Sequence, residues 1–249
     1  MEWRDQAIVL FATRHGEADA LLDVLTHSHG RARGFIKGGL SRRNKANLQA
    51  GNRLSVVWRA RLEENLGRFT VELLHSPLGQ MLGDGGRLAA LSAVTSVVAA
   101  SMPERESYVG VFDGLAAIVE LFEHEDGTSE VWGAALARLE LGILKELGYS
   151  LDLNVCAATG ATDNLIYVSP KSGRAVSAAG GAPYKEKLLA LPQFLLDGTS
   201  AASREDVIAA LRLTGFFLDR NIWMVRGKGQ PAARERLVSS LLKSQESAN

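Results

Sequence analysis

The chain holds several residue groups whose types and spacing could carry chemistry. Thr13-Arg14-His15-Gly16-Glu17 follows the apolar run Ala7 to Phe11. A strand that delivers a histidine beside an arginine suits phosphoryl transfer, with His15 as nucleophile and Arg14 on the phosphate. That reaction also needs a second histidine late in the chain. The histidines are His15, His27, His29, His75 and His124, and none follows. His27 and His29 flank Ser28 but have no carboxylate close in sequence, so they read as turn residues and not as metal ligands. No G-x-S-x-G elbow is present. The glycines between Pro77 and Gly86 lack the Lys-Ser/Thr pair of a phosphate-binding loop. Cys156 is the only cysteine, which excludes an intrachain disulfide and a cysteine-rich metal site. It also suits a reducing cytoplasm.

A different chemistry stands out between Val24 and Arg61, a run without a single acidic residue. It contains Arg31, Arg33, Lys37, Arg42, Arg43, Lys45, Arg53, Arg59 and Arg61 in a chain of formal net charge zero. Residues 1–80 hold 12 Lys+Arg against 8 Asp+Glu, a balance of +4, and the remainder carries −4. A field concentrated in this way attracts a polyanion, most often nucleic acid. Phe35, interleaved with the first of these cations, adds a ring on which a base can stack. Nothing in the run reads base identity, so contacts of this kind are sequence-independent.

The elements that must position these cations read as strands. Arg31 to Gly38 alternates, with Arg31, Arg33, Phe35 and Lys37 on one face and Ala32, Gly34 and Ile36 on the other. From Arg53 to Leu62 the apolar face is Leu54, Val56, Trp58, Ala60 and Leu62. Period-two patterning marks strands with one face in a core and one in water. Ala7–Phe11, Leu21–Leu25 and Phe69–Leu74 are further strand candidates, with a turn from Glu63 to Gly67. About five strands in some eighty residues fit a small closed sheet of the OB type. Ser41 to Lys45 reads as a mobile basic loop between strands. Beyond Gly86 the pattern turns helical: Leu88–Ala100, Val111–Glu123, a helix capped by Thr128 or Ser129 and ended by Gly148, a capping box at Ser203 and Asp206, and a short last helix over 234–243. The stretch from Leu151 to Tyr184 is Gly-, Ser- and Ala-rich, with a strand at Leu165–Val168. The amino terminus is unlike a secretory signal, and Leu88–Ala100 is too short to span a bilayer.

An ordered set of short motifs runs through nearly the whole chain: Gly16-Glu17-Ala18-Asp19, then Leu25-Thr26-His27-Ser28-His29-Gly30-Arg31, then Ile36-Lys37-Gly38-Gly39 and the basic loop. Leu144 to Tyr149, Leu151-Asp152-Leu153, Cys156 and Tyr167-Val168-Ser169-Pro170-Lys171-Ser172-Gly173 continue it. In these the chain resembles the RecO family of DNA-repair recombination mediators. The resemblance implies an α+β multidomain fold: an amino-terminal OB-fold β-barrel over 1–79, an α-helical domain over 80–150 and 184–249, and a zinc-ribbon-like insert over 151–183. Zinc-binding members carry two Cys-x-x-Cys pairs, whereas here Cys156 is followed by Thr159 and residues 173–181 hold no cysteine. The insert is therefore expected to be a degenerate, metal-free ribbon. The implied role is non-catalytic and cofactor-free: binding single- and double-stranded DNA, annealing complementary strands and, with RecR, helping to load a RecA-type recombinase on DNA coated by single-strand-binding protein. Such a protein is cytoplasmic and nucleoid-associated, with no membrane contact. The expected DNA-binding residues are Arg31, Arg33, Phe35, Lys37, Arg42, Arg43, Lys45, Arg53, Arg59 and Arg61. Two other readings stay open: a histidine-phosphatase-like enzyme using His15, and an RNA-binding adaptor.

Overall fold

Alternating apolar residues in the first 75 positions close a barrel. In the computed structural model, which describes residues 1–62, 65–124, 127–198 and 200–246, the chain forms two compact units, Met1–Gly127 and Thr128–Asn249. The first contains strands β1 (Glu2–His15), β2 (Asp19–Thr26), β3 (Gly30–Ile36), β4 (Arg53–Arg59) and β5 (Gly67–His75), in barrel order β1-β2-β3-β5-β4. β1 is long enough to pair with β4 through its first half and with β2 through its second, with a bulge between Val9 and Phe11. Val9, Leu22, Val24, Ala32, Ile36, Leu54, Val56, Trp58 and Phe69 fill the interior. Closure depends on the short parallel pairing of β3 and β5, Gly34 with Gly67 and Phe35 with Arg68. A Cβ on Gly67 would stand 2.2 Å from the Trp58 ring, so only glycine lets the large indole fill the barrel there.

The expected basic loop is instead a short helix, α1 (Arg42–Asn47). Ser41 caps it, Asn44 anchors it by donating to the Gly38 carbonyl, and no glycine or proline interrupts it. Glu63 and Glu64, in the turn expected before β5, lie outside the described residues. Among the described residues of this unit, α2 (Leu78–Met81), α3 (Gly85–Ser101) and α4 (Val109–Leu121) follow the barrel. α3 packs on β1, which explains why Ile8 and Leu10, on the outer face of the strand, are as buried as Ala7 and Val9. The compact units therefore divide at 127/128, and α3 and α4 group with the barrel, beyond the boundary that the glycines near 79 indicate in the sequence.

The second unit is built on α5 (Ser129–Glu146), with Thr128 as its cap and Gly148 turning the chain away at φ 83°. Next comes a small sheet of β6 (Leu165–Val168), β7 (Ala175–Ser177) and β8 (Leu189–Ala190), in the order β7-β6-β8, with one turn of helix, α6 (Ala178–Gly181). α7 (Arg204–Leu218) opens with the expected capping box of Ser203 and Asp206. It runs into a π-helical turn over Asp219–Trp223, and α8 (Ala232–Glu246) follows.

Candidate nucleic-acid interface

The acid-free run folds into two populations of cations. Four of its arginines have carboxylate partners that come from elsewhere in the sequence. Arg31 grips the fully buried Asp23 with both arms of its guanidinium, at 3.0 and 2.6 Å, and is itself only 14% exposed. Burial pushes the Asp23 carboxyl up, while Arg31 pulls in the opposite direction. This is an internal bidentate pair that ties β2 to β3. Arg33 pairs with Glu104 at 2.6 Å, Arg53 with Glu120 at 3.2 Å and Arg59 with Glu2 at 2.7 Å. Glu2, held by Arg59, sits below the usual carboxylate range.

Lys37, Arg42, Arg43, Lys45 and Arg61 are exposed and have no ion pair among the described residues. Lys37 stands just before the Gly38 turn into α1, and three of the others lie on α1 itself. The helix is held at both ends. Asn44 donates to the Gly38 carbonyl at 3.0 Å, and the fully buried Asn52 donates to the carbonyls of Ala46 and Asn47 at 3.0 and 2.9 Å. Cations without partners on a pinned helix keep their field for an external anion.

A groove of about 610 Å³ runs between α1 and the second half of β1, lined among others by Phe11, Thr13, Arg14, Lys45, Leu48 and Gln49. Phe11 is 37% exposed, unusual for a ring in an apolar strand. The bulge after Val9 turns Phe11 out of the core register. Phe11 and Arg14 lie outside the acid-free run, so the sequence did not group them with its cations; the bulge that brings Phe11 to the groove shows only in the strand register. Phe35 is half-buried, with its ring 4.5 Å from that of His15, so it is a weaker stacking surface than its place in the alternation implied.

His15 ends β1 in register with Asp19 and is exposed. His27 stands edge-on to Phe112, and His29 binds Asp5 at 2.8 Å. That carboxylate is distant in sequence and was not legible there. In the insert, Cys156, Thr159, Ser177 and Gly180 converge at the base of the small sheet. Ser177 N–H donates to the Cys156 sulfur at 3.1 Å, the hydroxyls of Thr159 and Ser177 are 3.4 Å apart, and Gly180 N–H donates to the Ser177 hydroxyl. Burial alone would raise the Cys156 thiol, but the Ser177 contacts bring it down to about 6. One sulfur and two hydroxyls do not make the N/S donor set that structural zinc requires, so these residues do not fit that ion.

A closed five-stranded barrel with a cationic flank, joined to a helical unit, defines the chain as an OB-fold protein with an appended helical domain. The family model for the amino-terminal part of recombination protein O matches residues 1–77, and the model for its carboxy-terminal part matches residues 82–227. A DNA repair protein RecO of Rhodospirillum centenum is 46% identical over 98% of this chain and 96% of its own length. Those of Rhodospirillum rubrum and Sinorhizobium medicae are 42% and 41% identical, covering 97% and 100% of this chain and 96% and 98% of their own. The chain belongs to the RecO family of DNA repair proteins. Among the described residues, no helix is long and apolar enough to cross a membrane.

Proposed function

We propose that this protein is a non-catalytic recombination mediator. It binds single- and double-stranded DNA without sequence preference and anneals complementary strands. With RecR it helps to load a RecA-type recombinase on DNA coated by single-strand-binding protein. The observation that carries the reading is the group Lys37, Arg42, Arg43 and Lys45, exposed and without acidic partners among the described residues, beside the groove of Phe11 and Arg14. Annealing brings two polyanions together, and a fixed cationic surface lowers that repulsion without any chemical step. Arg61 extends the surface. Arg33, Arg53 and Arg59 join it only by exchanging a carboxylate for a phosphate, and Arg31 serves the fold.

Three functional segments follow: the barrel over 1–79 for nucleic acid, the acidic helical part over 80–150 and 184–249 for protein partners, and a metal-free ribbon over 151–183. The setting is the cytoplasm, close to the nucleoid. The test is annealing of complementary oligonucleotides across a salt series, with and without single-strand-binding protein. Annealing that weakens steeply with salt supports the reading. Absence of annealing and of DNA binding at low salt overturns it. Tighter binding to RNA than to DNA would favour the adaptor reading.

A further inference from the structure

The second unit carries a concentration of positive charge of its own. Residues 171–187 hold Lys171, Arg174, Lys185 and Lys187 against a single acid, Glu186, within the part of the chain whose balance is −4. The fold draws these cations to one end of the small sheet and adds another from the end of α7. β6 runs into the turn over 169–174, where Lys171 sits, and Gly173 N–H closes that turn on the Ser169 carbonyl at 2.9 Å. β8 pairs Leu189 with Val168, so Lys187, two residues earlier, arrives beside the same turn. Arg220, in the π-helical turn after α7, reaches it as well by donating to the Pro170 carbonyl. We propose that this end of the sheet is a second binding surface for a DNA strand, separate from the one on the barrel.

Lys171, Lys187 and Arg220 are exposed and have no ion pair among the described residues. The carboxylates close to them in sequence are placed elsewhere. Asp152 pairs with Arg174 at 3.2 Å, Glu186 lies 3.9 Å from Lys185, and Asp219 lines the groove between α7 and α8. Arg220 is held in position without being neutralised. Its Nε donates to the Asn221 side chain at 3.1 Å, and its guanidinium carbon lies 5.1 Å from the centre of the Phe217 ring and 5.7 Å from that of Phe216. A carbonyl, an amide and two rings orient the group and leave its charge intact, so little freedom is lost when an anion docks. Phe217 is 1% exposed, which fixes this anchor in the core of the unit. Gly173 brings the turn down onto the same core: its φ is 71°, and a Cβ there would stand 3.1 Å from Leu151 and 3.7 Å from Phe217.

The occupant follows from the layout of the charge. Cations spread over a sheet turn, the 3₁₀ helix Ala182–Lys187 and a helix end match successive phosphates of a linear polyanion and not one small anion. Tyr184, on the 3₁₀ helix with Lys185 and Lys187, is 61% exposed and adds a ring on which a base can stack. None of these contacts reads base identity, so the surface takes any sequence, as the barrel does. The proposal rests on the annealing reading and extends it. Annealing needs two strands held at once, and one surface in each unit lets a single chain hold both.

The test uses the full-length protein and a labelled 8-nucleotide oligo-dT, titrated to saturation at low salt. Wild-type protein should bind two oligonucleotides per chain. Lys171→Glu with Lys187→Glu, which spares the Arg220 anchor, should bind one, and so should the variant with Arg42, Arg43 and Lys45 replaced by alanine. Annealing of longer complementary strands should slow in both. Photocrosslinking of the wild-type protein to a bromouracil-substituted strand should label the segment 169–187 as well as the barrel, and this needs no variant to fold. A single oligonucleotide per wild-type chain, two retained by the Lys171 and Lys187 variant, or crosslinks confined to residues 1–127 each overturn the second surface and leave DNA binding by the barrel intact. Wild-type protein that binds no oligonucleotide overturns both.

Discussion

Asn52 shows how one side chain serves the fold and the interface at once. It is fully buried, donates to the last carbonyls of α1 and accepts from the Ser76 hydroxyl at 2.8 Å. Replacing it by alanine leaves two helix carbonyls and a hydroxyl without their partner, which costs about 1–3 kcal/mol. Urea denaturation of Asn52→Ala should show that loss. DNA affinity should fall as well, because Arg42, Arg43 and Lys45 lose a fixed platform. Gly30 is the second such residue. At φ 67° it lets the β2–β3 turn pass the 104–108 segment, where a Cβ would stand 1.9 Å from the Glu106 carbonyl oxygen. Gly30→Ala should lower stability by more than about 1 kcal/mol, since strain and a backbone clash act together. Neither role was legible in the sequence. Asn52 and Gly30 look there like ordinary turn residues; Asn52 becomes critical by turning back on the end of α1 and meeting Ser76, and Gly30 by meeting Glu106, 76 positions further along the chain.

At the scale of elements, α5, α7 and α8 are joined by a buried charge. Glu140 and Arg234 are 0% and 3% exposed at their side chains and 2.6 Å apart. Thr214 donates to Glu140, and Arg234 also donates to the Leu211 carbonyl. Glu140→Gln should destabilise this unit by about 3–5 kcal/mol, because it leaves a buried guanidinium without its countercharge. The double variant Glu140→Leu with Arg234→Met should be less destabilised than either single change, and a double-mutant cycle in urea measures the difference. A more exposed pair, Glu130 with Arg204, gives a pH signature. Burial would raise the Glu130 carboxyl, but the Arg204 hydrogen bond and those of the helix start outweigh it and bring it down to about 2. A lowered carboxylate stabilises the fold above its unfolded pKa, and that contribution fades as pH falls from about 4.5 to 2. With solvent screening it amounts to less than about 1 kcal/mol. Glu130→Gln should therefore be less stable than wild type at pH 7 and equal to it near pH 2. The helices themselves were legible from Leu136, Leu139 and Ile143 and from the caps at Thr128 and Ser203, because these signals are local. Glu140 falls within that stripe, yet its partner lies on α8, and only packing brings the two together. The α1 helix was read as a loop because six residues are too few to show a period, and its stability comes from Asn44 and Asn52, not from pattern.

For the molecule as a whole, the acid-free run divides into cations paired with carboxylates and cations without them among the described residues. Alternation in β3 and β4 placed the arginines on the outer face, but linear sequence could not show that Asp23, Glu104, Glu120 and Glu2 return to meet them. What remains is a compact cationic site, and its size sets its salt response. Each phosphate neutralised on a single strand contributes about −0.7 to the slope of log affinity against log salt. Replacing Arg42, Arg43 and Lys45 together by alanine should make that slope shallower by about 2 and leave the thermal melt unchanged, since all three side chains are exposed and unpaired among the described residues. Replacing Arg31 should act in the opposite way. It exposes the buried Asp23 to the loss of its partner, so stability falls while the slope stays as it was. Anisotropy titrations across a salt series, paired with melts of both variants, separate the two kinds of arginine. A slope unchanged in the triple variant would remove α1 as the DNA surface, and a shallower slope in Arg31→Ala without destabilisation would return Arg31 to it.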